Sequence, residues 1–534
     1  MHRDRFSKLA TKRAALGLGL LLLGAGLTPR ALAQSPTWEK APALPTDMRN
    51  LLSTIRKDSH LYLLYEQYRE NRDGLQKAAE RINLADALTR GLATSPELAA
   101  TVADIQSSEW NGVAIQREWV PTLSFKTSSP GVMGYSTSTS SLKTKTPGSD
   151  ETEVLKFENG FKSNPYADLS WSFFDPSRFS RQSAQGSRIQ ALRNRLTYTT
   201  RELILAIQTA YTTLQEDLER EKDLIELFNQ SISIYINAHQ RGRPAGEISR
   251  LEAQAVSLLI ARINAHKDSI QAMDTLARLL NLEPGQLALP SEKPGVIPSW
   301  PLSRAESIQL ALERREELRA NALEVKALMS DSRAIRLKVL PDLSLSGQVQ
   351  RNNLTLQGGS FTDNLPGSLT RTTGYTTFVG LTFDWKVLDG GIRQAKANAS
   401  DAKARQTESQ GALLGLTITK EVADAYAGFV ASKILVDAAR ADVEASRRSL
   451  QAAITNYEAG LHNDEGTTVV QAMLKLQSAL NTYRNLVAGQ NISIHQLHRS
   501  TATWPSTTET LVRAQYQQWL APAAAAPPRP TAKP

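Results

Sequence analysis

The 534-residue chain contains no cysteine, which excludes disulfides, thiolate metal sites, cysteine catalysis and a lipid-bearing cysteine behind a signal peptide. Its formal charge of +9 is spread along helical stretches in which Lys and Arg sit beside Asp and Glu, not gathered into a basic patch with interleaved aromatics, so solvated helix faces are expected and nucleic-acid binding is not.

Residues 1–33 read as a secretory signal. Arg3, Arg5, Lys8, Lys12 and Arg13 precede an apolar run from Ala14 to Leu27, and Ala31-Leu32-Ala33 forms a small-residue exit before Gln34. No later stretch reaches the roughly 20 apolar residues of a spanning helix, so any membrane insertion has to be by strands. Residues 34–82 form an N-terminal extension of unassigned role, in which Leu61, Leu64, Tyr65 and Tyr68 have helical spacing.

From Asn83 to Trp119 the pattern is helical with a break near Ser95-Pro96, and Pro121 opens a strand with Leu123 and Phe125 on one face. The Ser-, Thr- and Gly-rich stretch 128–164 reads as a polar surface loop. Ser140 and Lys143 within it have the Ser-x-x-Lys spacing of acylating hydrolases, but no core can form around them. Next comes a strand in which Leu169, Trp171 and Phe173 alternate with Asp168, Ser170 and Ser172; Asp175-Pro176 ends it. A helix of some sixty residues follows, with Leu203, Ile207, Ala210, Leu214 and Leu218 stepping by four and three. It would span on the order of 90 Å, so something must pack along its whole length. The chain reverses at Arg241 to Gly246 and returns as a second helix to Leu282.

The plan then repeats. A helix is expected from Arg304 to Lys338, and after it a strand with Leu343, Leu345 and Val349 on one face and Ser344, Ser346, Gln348 and Gln350 on the other. A polar loop, 351–373, leads to a strand with Val379, Leu381, Phe383, Trp385 and Val387 on one side. Gly380, Thr382, Asp384 and Lys386 occupy its other side, as in a strand between two different solvents. Asp389, Gly390 and Gly391 break it, and a helix of similar length runs to Ala459, turns at 460–466 and returns to His498. Glu97-Leu98 with Glu317-Leu318, and Pro121-Thr122-Leu123 with Pro341-Asp342-Leu343, share one displacement of 220 residues, the mark of internal duplication. The units are thus 83–298 and 299–498, followed by a C-terminal segment, 499–534, whose Ala- and Pro-rich end reads as disordered.

Trp385-Lys386-Val387-Leu388-Asp389-Gly390-Gly391-Ile392-Arg393 and Tyr457-Glu458-Ala459-Gly460 resemble the strand-to-helix and helical-turn signatures of the TolC-type outer-membrane efflux proteins. Weaker copies stand at Trp171 to Arg178 and at Gly242 with Glu252-Ala253-Gln254. The resemblance implies a mainly α protein with a membrane β-barrel: a homotrimer sharing one twelve-stranded barrel, continued by a periplasmic α-helical tunnel. Four strands per chain cannot close alone, and open edges are not tolerated in lipid. It further implies an outer-membrane location in a Gram-negative-type bacterium, and a passive exit duct for a tripartite efflux or type I secretion system. The implied partners are a periplasmic adaptor, an inner-membrane transporter and outer-membrane lipid. The alternative is a periplasmic coiled-coil adaptor or a structural protein without a channel, and counting the strands discriminates them.

The turns carry the candidate gate and adaptor-docking residues: Arg241, Gly242, Glu247, Ser249 and Glu252 in the first, Gly460, Asp464, Glu465, Thr468 and Gln471 in the second. Where the family places acidic ring residues this chain has Ser249 and Thr468, leaving Glu247, Glu252, Asp464 and Glu465 as substitutes and Arg241, Arg243 and Arg250 as a basic turn. The strand-to-helix junctions are Trp171 and Asp175, and Trp385, Asp389, Gly390 and Gly391. No catalytic constellation, cofactor fingerprint or metal set is found. His495 and His498 lie three apart without a third ligand and read as surface residues.

Overall fold

A computed structural model describes residues 79–127, 134–144, 152–295, 297, 299–360, 368–460 and 466–520. The signal, the leader up to residue 78, Asp464, Glu465 and the Ala- and Pro-rich end lie outside the described residues.

In chain order β1 (Glu80–Ile82) comes first, and the expected first unit, 83–298, then contains α1 (Leu84–Thr94), α2 (Pro96–Arg117), β2 (Thr122–Thr127), β3 (Gly134–Thr144), β4 (Thr152–Ser163), β5 (Pro165–Phe174), α3 (Arg178–Gln240), α4 (Ala245–Leu279) and β6 (Ala288–Pro290). The second contains α5 (Arg304–Arg314), α6 (Glu316–Leu337), β7 (Asp342–Ser360), β8 (Ser368–Asp384), α7 (Ile392–Glu458) and α8 (Thr467–Ser500), with α9 (Ser506–Trp519) after it. At 63 and 67 residues, α3 and α7 each span on the order of 100 Å.

The break between α1 and α2 is local chemistry: Ser95 accepts from the Leu98 amide and Pro96 occupies the first helical position. The single helix expected over 304–338 is in fact two. Arg315 has φ −61° and ψ 124°, nearly the −63° and 119° of Ser95 at the equivalent place. No proline marks it. The Arg315 guanidinium is buried between Glu317 and the Glu421 carboxylate, 2.6 Å away on α7, so a tertiary ion cluster holds the kink.

The two stretches expected as loops are also corrected. Residues 134–144 pair with 152–163 as a β3–β4 hairpin, and β7 and β8 stay paired far into 351–373. Threonine favours a β-ladder, and backbone pairing needs no apolar alternation to form one. Strands β4 and β5 face β7 in one register from Lys156 to Ser172, so they form a single ribbon interrupted at Asn164, and the register shifts only between Ser172 and Phe174. Four ribbons result, in the order β2 and β3, then β4 and β5, then β7, then β8.

Register places the apolar side chains in rows. Leu123, Leu169, Gly347 and Val379 share one row, and Trp171, Leu345 and Leu381 the next; Thr122, Ser170, Ser346 and Gly380 lie on the reverse. Leu381 is 76 % exposed, so this face is greasy without an intrachain cover. The alternation runs from Val379 to the end of β8 at Asp384 and continues to Val387, while Phe378 falls on the other face.

Two apolar clusters hold the helices. One gathers α1, α3, the end of α4, β6 and Val512 of α9 around Ile207, Tyr211 and Leu276. The other, toward the turns, joins α3 and α4 to α7 and α8 around Phe228, Leu258, Leu450 and Met473. Parallel pairing of β1 with β6 and the Tyr516 hydroxyl on Thr200 (3.2 Å) secure β1 and α9 against the first cluster.

Candidate functional site

Both strand-to-helix junctions are built the same way. The Trp171 indole donates to the Trp119 carbonyl at 2.8 Å, and the Trp385 indole donates to the Val339 carbonyl at 2.9 Å. Trp119 and Val339 are again 220 residues apart, each two residues before the proline that opens its unit's first strand. Each tryptophan therefore pins the end of one strand to the elbow where the neighbouring strand begins. Aspartates then start the helices. Asp175 accepts from the Ser177 amide and hydroxyl at 2.9 and 2.7 Å and from Arg181 at 2.6 Å. Asp389 accepts from the Gly391 and Arg393 amides at 3.1 and 3.0 Å, with the Arg393 Nε 2.8 Å away. Burial pushes the Asp175 carboxyl up, but the Ser177 and Arg181 hydrogen bonds outweigh it, leaving it below its ordinary value. Donation from the Arg393 amide, chiefly, lowers Asp389.

At the opposite end of the long helices the two turns are fastened to each other. Gly242 and Gly460, with φ of 64° and 70°, take the left-handed conformation that reverses the chain. From the first turn, Arg241 Nη1 donates to the Glu458 carbonyl at 2.8 Å and Arg243 Nη2 to the Tyr457 carbonyl at 3.2 Å. These belong to the last turn of α7, where carbonyls lack helical partners and a cation is favoured. Arg243 also lies 5.1 Å above the Tyr457 ring. The Tyr457 hydroxyl donates to Oε1 of Glu247, which is buried in the first turn of α4. Burial first, and then that carboxylate, push the Tyr457 pKa upward, keeping the donor protonated. Arg250 Nη1 donates to the Thr467 hydroxyl at 3.1 Å.

Among the candidates for an acidic ring, Glu247 is thus engaged inside one chain and does not face open water. Ser249, Thr468 and Gln471 are exposed, and Glu252 is half-buried. Arg241 and Arg243 are caps on α7 and Arg250 reaches Thr467 at the start of α8, which neither composition nor spacing reveals; Tyr457 carried only its place in a turn signature.

His495 is buried, contrary to the surface reading. Burial, with the neighbouring His498, lowers its pKa to about 4, so the ring is neutral. The apolar neighbours Ile494 and Leu497 belong to a small cluster with Trp300 and Phe429, and His498 meets the edge of Trp300 at 4.9 Å. No group of three or more metal-ligating side chains occurs among the described residues.

Residues 307–503 match the outer membrane efflux protein family. The chain is similar in structure to the CmeC outer membrane channel of Campylobacter jejuni, with a TM-score of 0.59 and 16 % identity over 81 % of this chain and 89 % of that one. It is similar to the outer membrane protein VceC from Vibrio cholerae (0.60, 14 %, covering 79 % and 96 %). It also resembles the open state of the Neisseria gonorrhoeae MtrE outer membrane channel (0.57, 15 %, covering 79 % and 89 %). No curated protein matches. The resemblance to outer-membrane efflux proteins agrees with the family match over residues 307–503, and the mainly α fold with its sheet agrees with these solved folds.

Proposed function

We propose that this chain is the outer-membrane exit duct of a tripartite efflux or type I secretion system, and that three copies close one barrel and one tunnel. The observation that carries the proposal is the sheet. Among the described residues, four ribbons with apolar rows on one face and polar rows on the other end in two free edges, which neighbouring chains would pair, and they pass through tryptophan-pinned junctions into helices on the order of 100 Å long. A periplasmic adaptor or a purely structural coiled coil has no use for a two-faced sheet. On this reading the apolar rows meet lipid, the Ser, Thr and Asp rows line water, and the protein carries no catalysis of its own. Energy comes from an inner-membrane transporter reached through a periplasmic adaptor. The paired polar hairpins at 128–164 and 351–373 face the cell exterior.

The two turns form the periplasmic end. Opening there requires α7 and α8 to move against α3 and α4, which breaks the Tyr457 to Glu247 bond and withdraws Arg241 and Arg243 from their carbonyls. Asp464 and Glu465, three times around the axis, would add an acidic ring whose repulsion divalent cations relieve.

Membrane fractionation followed by mass measurement in detergent tests the duct: trimers in the outer membrane are expected, and a soluble monomer overturns it. In planar bilayers Tyr457→Phe should raise the open probability over the native channel, while Asp464→Ala with Glu465→Ala should abolish divalent-cation block. Unchanged gating in the first removes the lock, and unchanged block in the second removes the ring.

A further inference from the structure

Between the two apolar clusters α3 carries a densely charged run, residues 215–226, and folds it inward: Glu216, Asp217, Glu221 and Asp223 are all buried. Packing in this belt is ionic. From α8, the Arg484 Nε and Nη2 donate to the two oxygens of Asp223 at 2.7 and 3.2 Å, while Nη2 stands 3.6 Å from Glu219 and Nη1 3.7 Å from Glu216. One α8 cation thus serves three carboxylates at i, i+3 and i+7 of α3. The deepest of them is served least, for Glu216 is 1 % exposed and neither of its oxygens accepts a hydrogen bond. Burying a carboxylate so poorly compensated is costly when it is ionised and cheap when it is protonated.

We propose that Glu216 and Arg484 form a pH-responsive clasp between the two helical hairpins, tightening when Glu216 takes up a proton and loosening when it ionises. The proposal rests on reading the hairpins as the wall of a tunnel. The groups around Glu216 are Glu219 and Asp223 on α3 and Arg484 on α8; Lys222 pairs with Glu219 at 3.2 Å. From α4, Asp268 acts on Asp217, and His266 Nδ1 lies 3.4 Å from Glu221 farther along. Burial, opposed by Arg484 and reinforced by Glu219 and Asp223, raises the Glu216 pKa to about 7 from an ordinary 4.5. The packed state therefore holds a proton that the opened state releases. Its packing is strongest near and below pH 4.5 and weakens as pH rises through 7. A duct with this clasp opens more readily in a neutral periplasm than in an acidified one.

The test is amide exchange along residues 480–490 of the full chain in detergent, corrected for the intrinsic rate, at pH 5.5 and 7.5. The native protein should be protected roughly twenty-fold more at the lower pH, and Glu216→Gln should be equally protected at both. Equal native protection at the two pH values overturns the clasp, as does the same pH dependence in native and Glu216→Gln chains. Should the variant fail to fold, the native comparison alone still decides. Single-channel current separates the layers: open probability rising with pH in the native protein and flat in Glu216→Gln supports both readings. No current from either chain refutes the duct, and exchange then judges the clasp by itself.

Discussion

The two copies of the duplicated unit solve the same structural problems with different residues. At the helix break the first copy uses a serine cap and a proline, whereas the second uses a buried arginine shared between Glu317 and Glu421. At the junction both use a tryptophan indole on a carbonyl, and both aspartates take a backbone amide and a guanidinium, but Asp175 adds a serine hydroxyl where Asp389 adds a second amide. The family match falls on the second copy, but the first has the same geometry. What is kept is the demand, namely that unpaired helix-end groups and chain elbows be satisfied, and not the side chain that meets it.

That contrast is sharpest at the break. Arg315→Ala leaves Glu317 without its cation and Glu421 with Arg499 alone, and should cost about 3 kcal/mol, at the low end for a buried pair because Glu421 is 39 % exposed and keeps that second partner. Ser95→Ala removes only a cap and should cost about 1 kcal/mol. Thermal unfolding of the two variants compares them, and equal losses would mean that the second break is local after all.

A smaller difference is expected at the junctions. Gly391 has φ 81°, so Gly391→Ala should lose about 1–2 kcal/mol to backbone strain. The first junction places Ser177 at φ −77°, and Ser177→Ala there costs only a hydrogen bond of about 1 kcal/mol. Unfolding midpoints that rank the other way would show that the glycine is not required by its conformation. Because Asp175 and Asp389 are both held below their ordinary pKa, each stabilises its helix start at pH above about 4 and loses that contribution as pH falls through its folded value. Asp389→Ala should therefore melt below native at pH 7, and the gap should close in strong acid; a gap independent of pH would refute the charge as its origin.

The smallest expected effect tests identity and not difference. Trp171→Phe and Trp385→Phe each remove one indole donor and should each cost about 1 kcal/mol, with equal shifts in melting temperature. Unequal shifts would show that one elbow carries more of the sheet than the other.

Much of this architecture was legible before any coordinates. Period-two alternation placed Val379, Leu381 and Phe383 on one face because side chains on a strand can only alternate. Repeated steps of four and three at Leu203, Ile207, Ala210 and Leu214 required a helix, and the 220-residue register exposed the duplication. The β3–β4 hairpin is not legible in the sequence, since the Ser- and Thr-rich β3 has no apolar alternation to read. His495 was misplaced because burial depends on which helix lies opposite, and a lone polar residue says nothing of that.

What the sequence determined by itself, then, was everything set by local periodicity: two units, long helices, two-faced strands, reversals at glycine and the strand-to-helix breaks. Only the tertiary structure decided the pairings between distant charges. That Arg315 bends a helix, that Arg241 and Arg243 cap α7, that Glu247 is claimed by Tyr457 and that Glu216 lies deepest under Arg484 all join residues separated by 100 to 270 positions or more than one element. Charged side chains carry no periodic signal of their partners, and their energies depend on burial and distance, both of which exist only once the helices are packed.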